Sequence, residues 1–268
     1  MTIIAMGREM GSRGKKIADG VAAALGLPVI HYEVIDHLSD RSRVRRSHVV
    51  RLLDEQDDPH SDLTPDHTLP AILSAYEILE LASLPEGCLL RGWGACALMR
   101  EVSSVLRVRV TAPRAERLAV LKSKFPTAEE GRLQAEIDLF DEAHRAIMRR
   151  HFGVEFDDDA LYHMSLDTSV TPVEECIERI VAASREERFS ATDQSARRLA
   201  SLMTEAHVKA LLKLHPPTRQ IAIEVAADLK VVHLRGTVAS EELKARCDLV
   251  AWRVPGIEGV HNALAVAA

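Results

Sequence analysis

Apolar positions along this chain follow two rhythms, and the change between them divides it. Residues 2–6 form an unbroken apolar run, which predicts a short buried strand. After a glycine-rich turn, Ile17, Val21, Ala24 and Leu25 recur at helical spacing, and Gly26 followed by Pro28 ends that helix. Val29-Ile30 opens a second strand. Leu69–Leu84 reads as an amphipathic helix, and Gly87–Gly94 as a buried strand leaving through a glycine turn into Ala95–Arg100. Leu106–Thr111 alternates at period two and predicts a further strand, with Pro113 starting a helix over Arg114–Ser123. A long polar helix over about 128–151, a last strand over Leu161–Leu166 and a helix over Val173–Ser184 complete this half. Strand, turn, helix, strand is the opening of a parallel α/β sheet.

Residues 184–193 carry no apolar period and are expected to be a linker. Beyond them the order changes. Asp193–Leu214 predicts one helix ended by Pro216-Pro217, followed by alternating strands at Gln220–Ala226 and Lys230–Val238, with Asp228 in the hairpin turn between them. Ser240 is placed to cap a helix whose first turn holds Glu241 and Glu242 and whose buried stripe is Leu243, Cys247, Val250 and Val254. A closing strand covers Val260–Val266, giving a small α+β module in the order α-β-β-α-β. The expected domains are therefore 1–185 and 194–268. The length agrees: 268 residues is about 1.8 domains at roughly 150 residues each.

Composition narrows the function. With 47% hydrophobic and 28% charged residues the chain can build packed cores, and a net charge of −6 gives no polybasic surface for nucleic acid or membrane. Aromatic residues are only 4%, too few for a base-stacking platform, so nucleic acid is not an expected partner. Arg41, Arg43, Arg45, Arg46 and Arg51 form either a solvated helix face or a surface for phosphates or an acidic partner, and residues 57–62 read as an exposed loop. No segment reaches the roughly 20 apolar residues of a membrane span, and the apolar N-terminus is too short for a signal-peptide core. Cys88, Cys96, Cys176 and Cys247 lie scattered in apolar runs, which suits buried reduced thiols and a cytoplasmic protein. The twelve histidines show no metal-ligand spacing, so no metal site is expected, and a serine-hydrolase elbow is missing.

The strongest chemical signal is the first turn. Gly11-Ser12-Arg13-Gly14-Lys15-Lys16 offers closely spaced backbone N–H groups, cations and a helix N-terminus, the parts from which phosphate sites are made. Against G-x-x-x-x-G-K-[ST] only Gly14-Lys15 match in register: Glu9 stands at the first glycine and Lys16 at the magnesium-binding hydroxyl. A plain glycine-rich turn is the competing reading.

Ile3–Ala18 with Leu25-Gly26-Leu27-Pro28 resembles the start of the cytidylate kinase-like proteins, a branch of the P-loop nucleoside monophosphate kinases whose loop reads R-E-x-G-S-G-G-x-x-I-A. The resemblance continues at Gly92-Trp93-Gly94-Ala95, in Val110–Leu118, and at Asp138–Arg145, which approximates the lid pattern D-x-x-D-x-x-R. It covers residues 1–183 in patches. Residues 195–267 resemble a BON domain through Ile221–Val225, Val232–Val238 and Val254–Leu264. The implied architecture is a parallel-sheet P-loop kinase-like α/β domain followed by a BON-like module.

The resemblance implies phosphoryl transfer from ATP with Mg2+ to CMP or a related monophosphate, by positioning and charge neutralisation. Lys15 would bridge the β- and γ-phosphates, Gly11, Ser12, Arg13, Gly14 and Lys16 would line the phosphate site, and Arg117, Arg145 and Arg149 would clamp phosphates. Each arginine reads equally as a solvated helix residue. Asp138 and Asp141 would order the lid or pair with neighbouring arginines at helical spacing. Lys16, His31, Trp93 and His144 depart from the family's pattern. These departures support the alternative of a catalytically degenerate nucleotide-binding regulatory or interaction protein, with the BON-like module contacting a protein or phospholipid.

Overall fold

The computed structural model describes residues 1–31, 68–92 and 94–267. The arginine cluster, the loop at 57–62 and Trp93 lie outside the described residues. The chain forms two compact units: residues 1–57 with 84–191, and residues 58–83 with 192–268.

In the first unit five parallel strands lie in the order β2-β3-β1-β4-β5: β1 (Ile3–Arg8), β2 (Val29–Ile30), β3 (Cys88–Arg91), β4 (Val105–Thr111) and β5 (Met164–Asp167). β1 is central, and Ile3 to Gly7 are all buried, as expected of a parallel strand covered on both faces. Helix α1 (Gly14–Leu25) follows β1, and Gly26 ends it in the left-handed region. The core joins Ile4 and Met6 of β1, Ile17 and Val21 of α1, and Val108 and Val110 of β4 to Val173, Cys176 and Ile180 of a later helix, Val173–Ser184.

Two sequence expectations change here. The last strand begins at Met164 rather than Leu161, because Asp158 accepts a hydrogen bond from the Ala160 N–H (2.9 Å) and winds Asp159–Leu161 into a short 3-10 turn. Residues 184–193 are not a plain linker: a 3-10 turn at Glu187–Phe189 drives Phe189 into the core of the first unit, where it is 5% exposed. The chain therefore stays in that unit to Ala191.

In the second unit, helix Asp193–Leu214 is fixed at its start by a capping box between Thr192 and Ser195. It covers a three-stranded sheet of β6 (Ile223–Asp228), β7 (Val231–Val238) and β8 (Gly259–Val266), β6 antiparallel and β8 parallel to β7. Ser240 caps helix Glu241–Ala251 by accepting from the Leu243 N–H, as its sequence predicts. The hairpin turns one residue later than expected. Asp228 ends β6, while Leu229 takes φ +53° and donates its N–H to Ser201 Oγ (2.9 Å). Helix Thr68–Ala82, placed by sequence within the first domain, clusters with this unit, where Tyr76 stacks on His207 at 4.5 Å between ring centres and Ser83 Oγ meets Met203 Sδ at 3.6 Å.

Phe189→Ala is expected to destabilise the first unit by about 3–5 kcal/mol, because a buried aromatic ring is replaced by a cavity. Urea denaturation followed by far-UV circular dichroism checks this; a cost below about 1 kcal/mol would mean that the segment is a free linker after all.

Candidate functional site

The carboxyl end of β1 opens into the turn that the sequence singles out. Gly11 has φ +81° and Arg13 φ +61°, so left-handed residues stand on both sides of Ser12, whose N–H donates to the Glu9 carbonyl (3.3 Å). Gly11 is required for a second reason: a Cβ there would lie 2.6 Å from the Arg117 carbonyl oxygen. Ser12 is fully buried, its Oγ donating to the Glu9 carbonyl (2.8 Å), while its own carbonyl accepts from Thr168 Oγ1 (3.1 Å). Ile17 is the first N–H of α1 to reach a helical carbonyl, that of Arg13. The N–H groups of Gly14, Lys15 and Lys16 form the open donor end that every helix N-terminus presents. Lys15 is exposed beside them.

A buried ionic network holds this turn in place. Glu9 accepts from Thr111 Oγ1 (2.6 Å) and the Ala112 N–H (3.2 Å), and faces Arg109 at 3.6 Å and Arg117 at 3.5 Å. Arg117, 5% exposed, donates Nε to the Met10 carbonyl (2.7 Å) and both terminal nitrogens to Asp141 (2.9 and 2.7 Å). Helices Arg114–Lys124 and Glu130–Ile147 are thus tied to the turn and to each other. Arg114 and Asp138 repeat the pairing at 2.7–3.1 Å where the helices are more exposed. The two aspartates do pair with arginines, but on the facing helix rather than along their own. Met10 packs on Leu121, Leu133 and Ile137 between those helices, adding an apolar anchor.

Beside the turn lies a small, partly open cleft lined by Arg8, Glu9, Phe140, Asp141, His144, Arg145 and Phe156. A neighbouring small opening shares His144 and Phe156 and is lined also by Gly7, Gly92, Gly94 and Ala95. Gly94, at φ +71°, admits Phe152: a Cβ there would sit 2.2 Å from its ring. Packing of His144 against Phe140 and Phe156 lowers its pKa to about 4, chiefly through burial and then through the nearby Arg8 charge. The guanidinium of Arg109 lies over Phe156 (5.2 Å) and Tyr162 (5.9 Å). Both openings face the carboxyl ends of β1 and β3, where the strand order reverses around β1, the usual ligand position in an open α/β sheet.

The predicted residues therefore separate. Gly11, Ser12, Arg13, Gly14, Lys15 and Lys16 form one turn. Lys16 points its ammonium at Glu174 (3.1 Å), and Arg13 reaches the Thr168 carbonyl (3.4 Å). Arg145 lines the cleft and has no ion-pair partner among the described residues. Arg149 is exposed and bound to Glu155 (2.7 and 2.9 Å) away from the cleft residues. His31 faces the Arg91 carbonyl at 3.0 Å. The four cysteines are all buried and unpaired, and burial pushes the Cys88 and Cys96 thiols up to about 12. Sequence reasoning missed Glu9 as the centre of the network. The signal was its replacement of a glycine directly before the turn, which left a carboxylate there to be neutralised.

A family profile described as the cytidylate kinase-like family matches residues 3–170. The chain belongs to that family. Residues 202–268 match the BON domain, so the cytidylate kinase-like unit is followed by a BON module. An uncharacterized protein from Eubacterium ventriosum superposes with a TM-score of 0.54 at 15% identity, covering 70% of this chain and all of that one, a likeness of fold. Shikimate kinase from Bacteroides thetaiotaomicron aligns at 13% identity over 68% of this chain and 97% of its own, with a TM-score of 0.43. No curated protein matches the chain in sequence.

The turn of this cytidylate kinase-like domain fits the phosphates of the nucleotide that the fold implies: its left-handed residues, open helix N-terminus and Lys15 supply donors and charge without a side chain in the way. It does not supply the hydroxyl ligand for magnesium, because Lys16 holds that position and pairs with Glu174.

Gly11→Ala is expected to cost at least about 1–3 kcal/mol through its positive φ alone, with further loss from the approach to Arg117; thermal unfolding measures it. The His144 shift has a definite sign. The folded state resists a proton that the unfolded chain accepts below its ordinary value of 6.5, so stability falls as pH drops from about 6.5 toward 4. His144→Gln should flatten that part of a stability-against-pH curve, and an unchanged slope would refute the assignment.

Proposed function

We propose that the first domain binds ATP through the turn at residues 11–16 and transfers its γ-phosphoryl group to CMP or a related nucleoside monophosphate. The observation that carries this reading is the turn itself, an anion cradle closed by Arg117 and open toward Lys15. Backbone N–H groups of Gly11, Arg13, Gly14, Lys15 and Lys16 would bind the β-phosphate, and Lys15 would neutralise the charge that builds on the leaving oxygen as the γ-phosphoryl group passes to the acceptor. ATP with Mg2+ supplies the transferable group. Arg145 and Arg8 on the cleft would meet the acceptor phosphate, since the cleft adjoins the turn. Arg117 acts by positioning: its nitrogens are engaged by Asp141 and Met10, and it fixes the turn from behind. Arg149 would join only by leaving Glu155.

A second reading has its own support in the Lys16–Glu174 pair. Without a hydroxyl in that position the domain would bind nucleotide and transfer phosphate slowly or not at all, serving as a nucleotide-responsive regulatory protein. The BON module would then contact a protein or phospholipid. We place both readings in the cytoplasm, where four free buried thiols remain reduced.

Equilibrium ATP binding and a coupled turnover assay over a panel of monophosphates separate the two. Lys15→Ala is expected to weaken ATP binding by about tenfold or more, the cost of one lost charge-assisted phosphate contact. Turnover on CMP above background supports the kinase. ATP binding without turnover on any monophosphate supports the regulatory reading, and no ATP binding at all overturns both.

A further inference from the structure

The sheet of the second unit has one face toward its helices and one away. Val232 and Leu234 of β7 are fully buried, so His233 between them belongs to the opposite face, because successive strand residues alternate sides. On β8 the partner of His233 is His261, and the two rings stack at 4.9 Å between centroids with only 15° between planes. β8 lies at the edge of this three-stranded sheet. Around the pair on this face, Ala226 stands opposite His233 on β6, Gly259 and Ala263 flank His261 along β8, and Val231 and Arg235 flank His233 along β7. Among the described residues no hydrogen bond or ion pair occupies either ring. Two imidazoles are thus held side by side, one half-buried and one exposed, with access from solvent.

We propose that His233 and His261 form a two-imidazole binding site for a late first-row divalent cation, of the class of Cu2+, Ni2+ and Zn2+. Imidazole nitrogens bind these ions at about 2.0–2.1 Å, so two ligating nitrogens stand roughly 3–4 Å apart. The rings, 4.9 Å apart and nearly parallel, would aim their nitrogens at one ion by rotating about their side-chain torsions, which leaves the strands in place. The sheet register makes the second bond intramolecular once the first has formed, which is the source of the affinity. No third histidine, cysteine or carboxylate completes the set among the described residues, so water fills the remaining positions. Hard ions such as Mg2+ prefer oxygen and are rejected. The site does not use the phosphate turn and stands whether or not the chain is a kinase.

The test is calorimetric titration of Cu2+ into the full chain near pH 7.5, with the wild type, His233→Gln, His261→Gln and the double variant. Electron paramagnetic resonance at one equivalent reads the number of nitrogen ligands. The expected result is one tight equivalent with two nitrogen ligands in the wild type, weakened about tenfold or more by either substitution because the intramolecular second bond is lost. Weaker binding by the remaining histidines persists in every variant. Circular dichroism checks that the variants fold, and glutamine at these solvent-facing positions keeps the strand register. If the first equivalent is the same in the double variant as in the wild type, or carries a single nitrogen ligand, the proposal is overturned.

Discussion

The guanidinium of Arg117 is the point on which the candidate site depends. It is nearly inaccessible to water, and a buried cation is tolerable only when its donors and charge are met. Here they are met by two segments distant in sequence: Glu9-Met10 just after β1, which gives a carboxylate charge and the Met10 carbonyl, and the Asp141 carboxylate on the helix Glu130–Ile147. Removing one member would leave another buried and uncompensated, a situation that typically costs about 3–5 kcal/mol. The Arg117 backbone also approaches Gly11 so closely that a side chain there would meet its carbonyl oxygen at 2.6 Å.

This arrangement explains why the turn departs from the usual glycine pattern without losing its shape. Glu9 occupies a glycine position, but its carboxylate is engaged by Thr111, the Ala112 N–H, Arg109 and Arg117. The negative charge is therefore neutralised inside the protein. Lys16 is different. Its ammonium leaves the turn for Glu174, and nothing in the turn replaces the oxygen that its position ordinarily supplies. The turn thus keeps the backbone shape that a phosphate would need but not a hydroxyl ligand for magnesium, and this imbalance gives the two functional readings their separate support.

The first unit and the BON module also differ in how they hold polar groups. In the first, charged side chains cross between elements at the carboxyl end of the sheet, where a ligand would be bound. In the second, ties such as Asn262 Nδ2 to the Lys244 carbonyl (2.9 Å) and Ser201 Oγ to the Leu229 N–H (2.9 Å) anchor backbone turns. The outer face of its sheet, bearing His233 and His261, is left to solvent.

Much of the fold was legible in the sequence, because local periodicity and end signals reflect local physics. Val173–Ser184 and Asp193–Leu214 have the predicted ends, and the order α-β-β-α-β follows from alternation and turn residues alone. So does the glycine-rich turn at residues 11–16, whose glycines and lysines are contiguous. What only the tertiary structure decided were matters of which distant groups meet. Phe189 reads as linker because one apolar residue makes no period, yet packing buries it. Helix Thr68–Ala82 has an apolar pattern that does not name its partner, and folding assigns it to the second unit. Arg117 reads as a solvated helix residue or a phosphate clamp until Asp141 and Met10 are seen around it. The histidines show no ligand spacing in sequence, and only strand register brings His233 beside His261. Sequence determines what each segment can bury and where it must turn; the partners of a buried charge or an exposed ring are set by contacts that linear spacing does not encode.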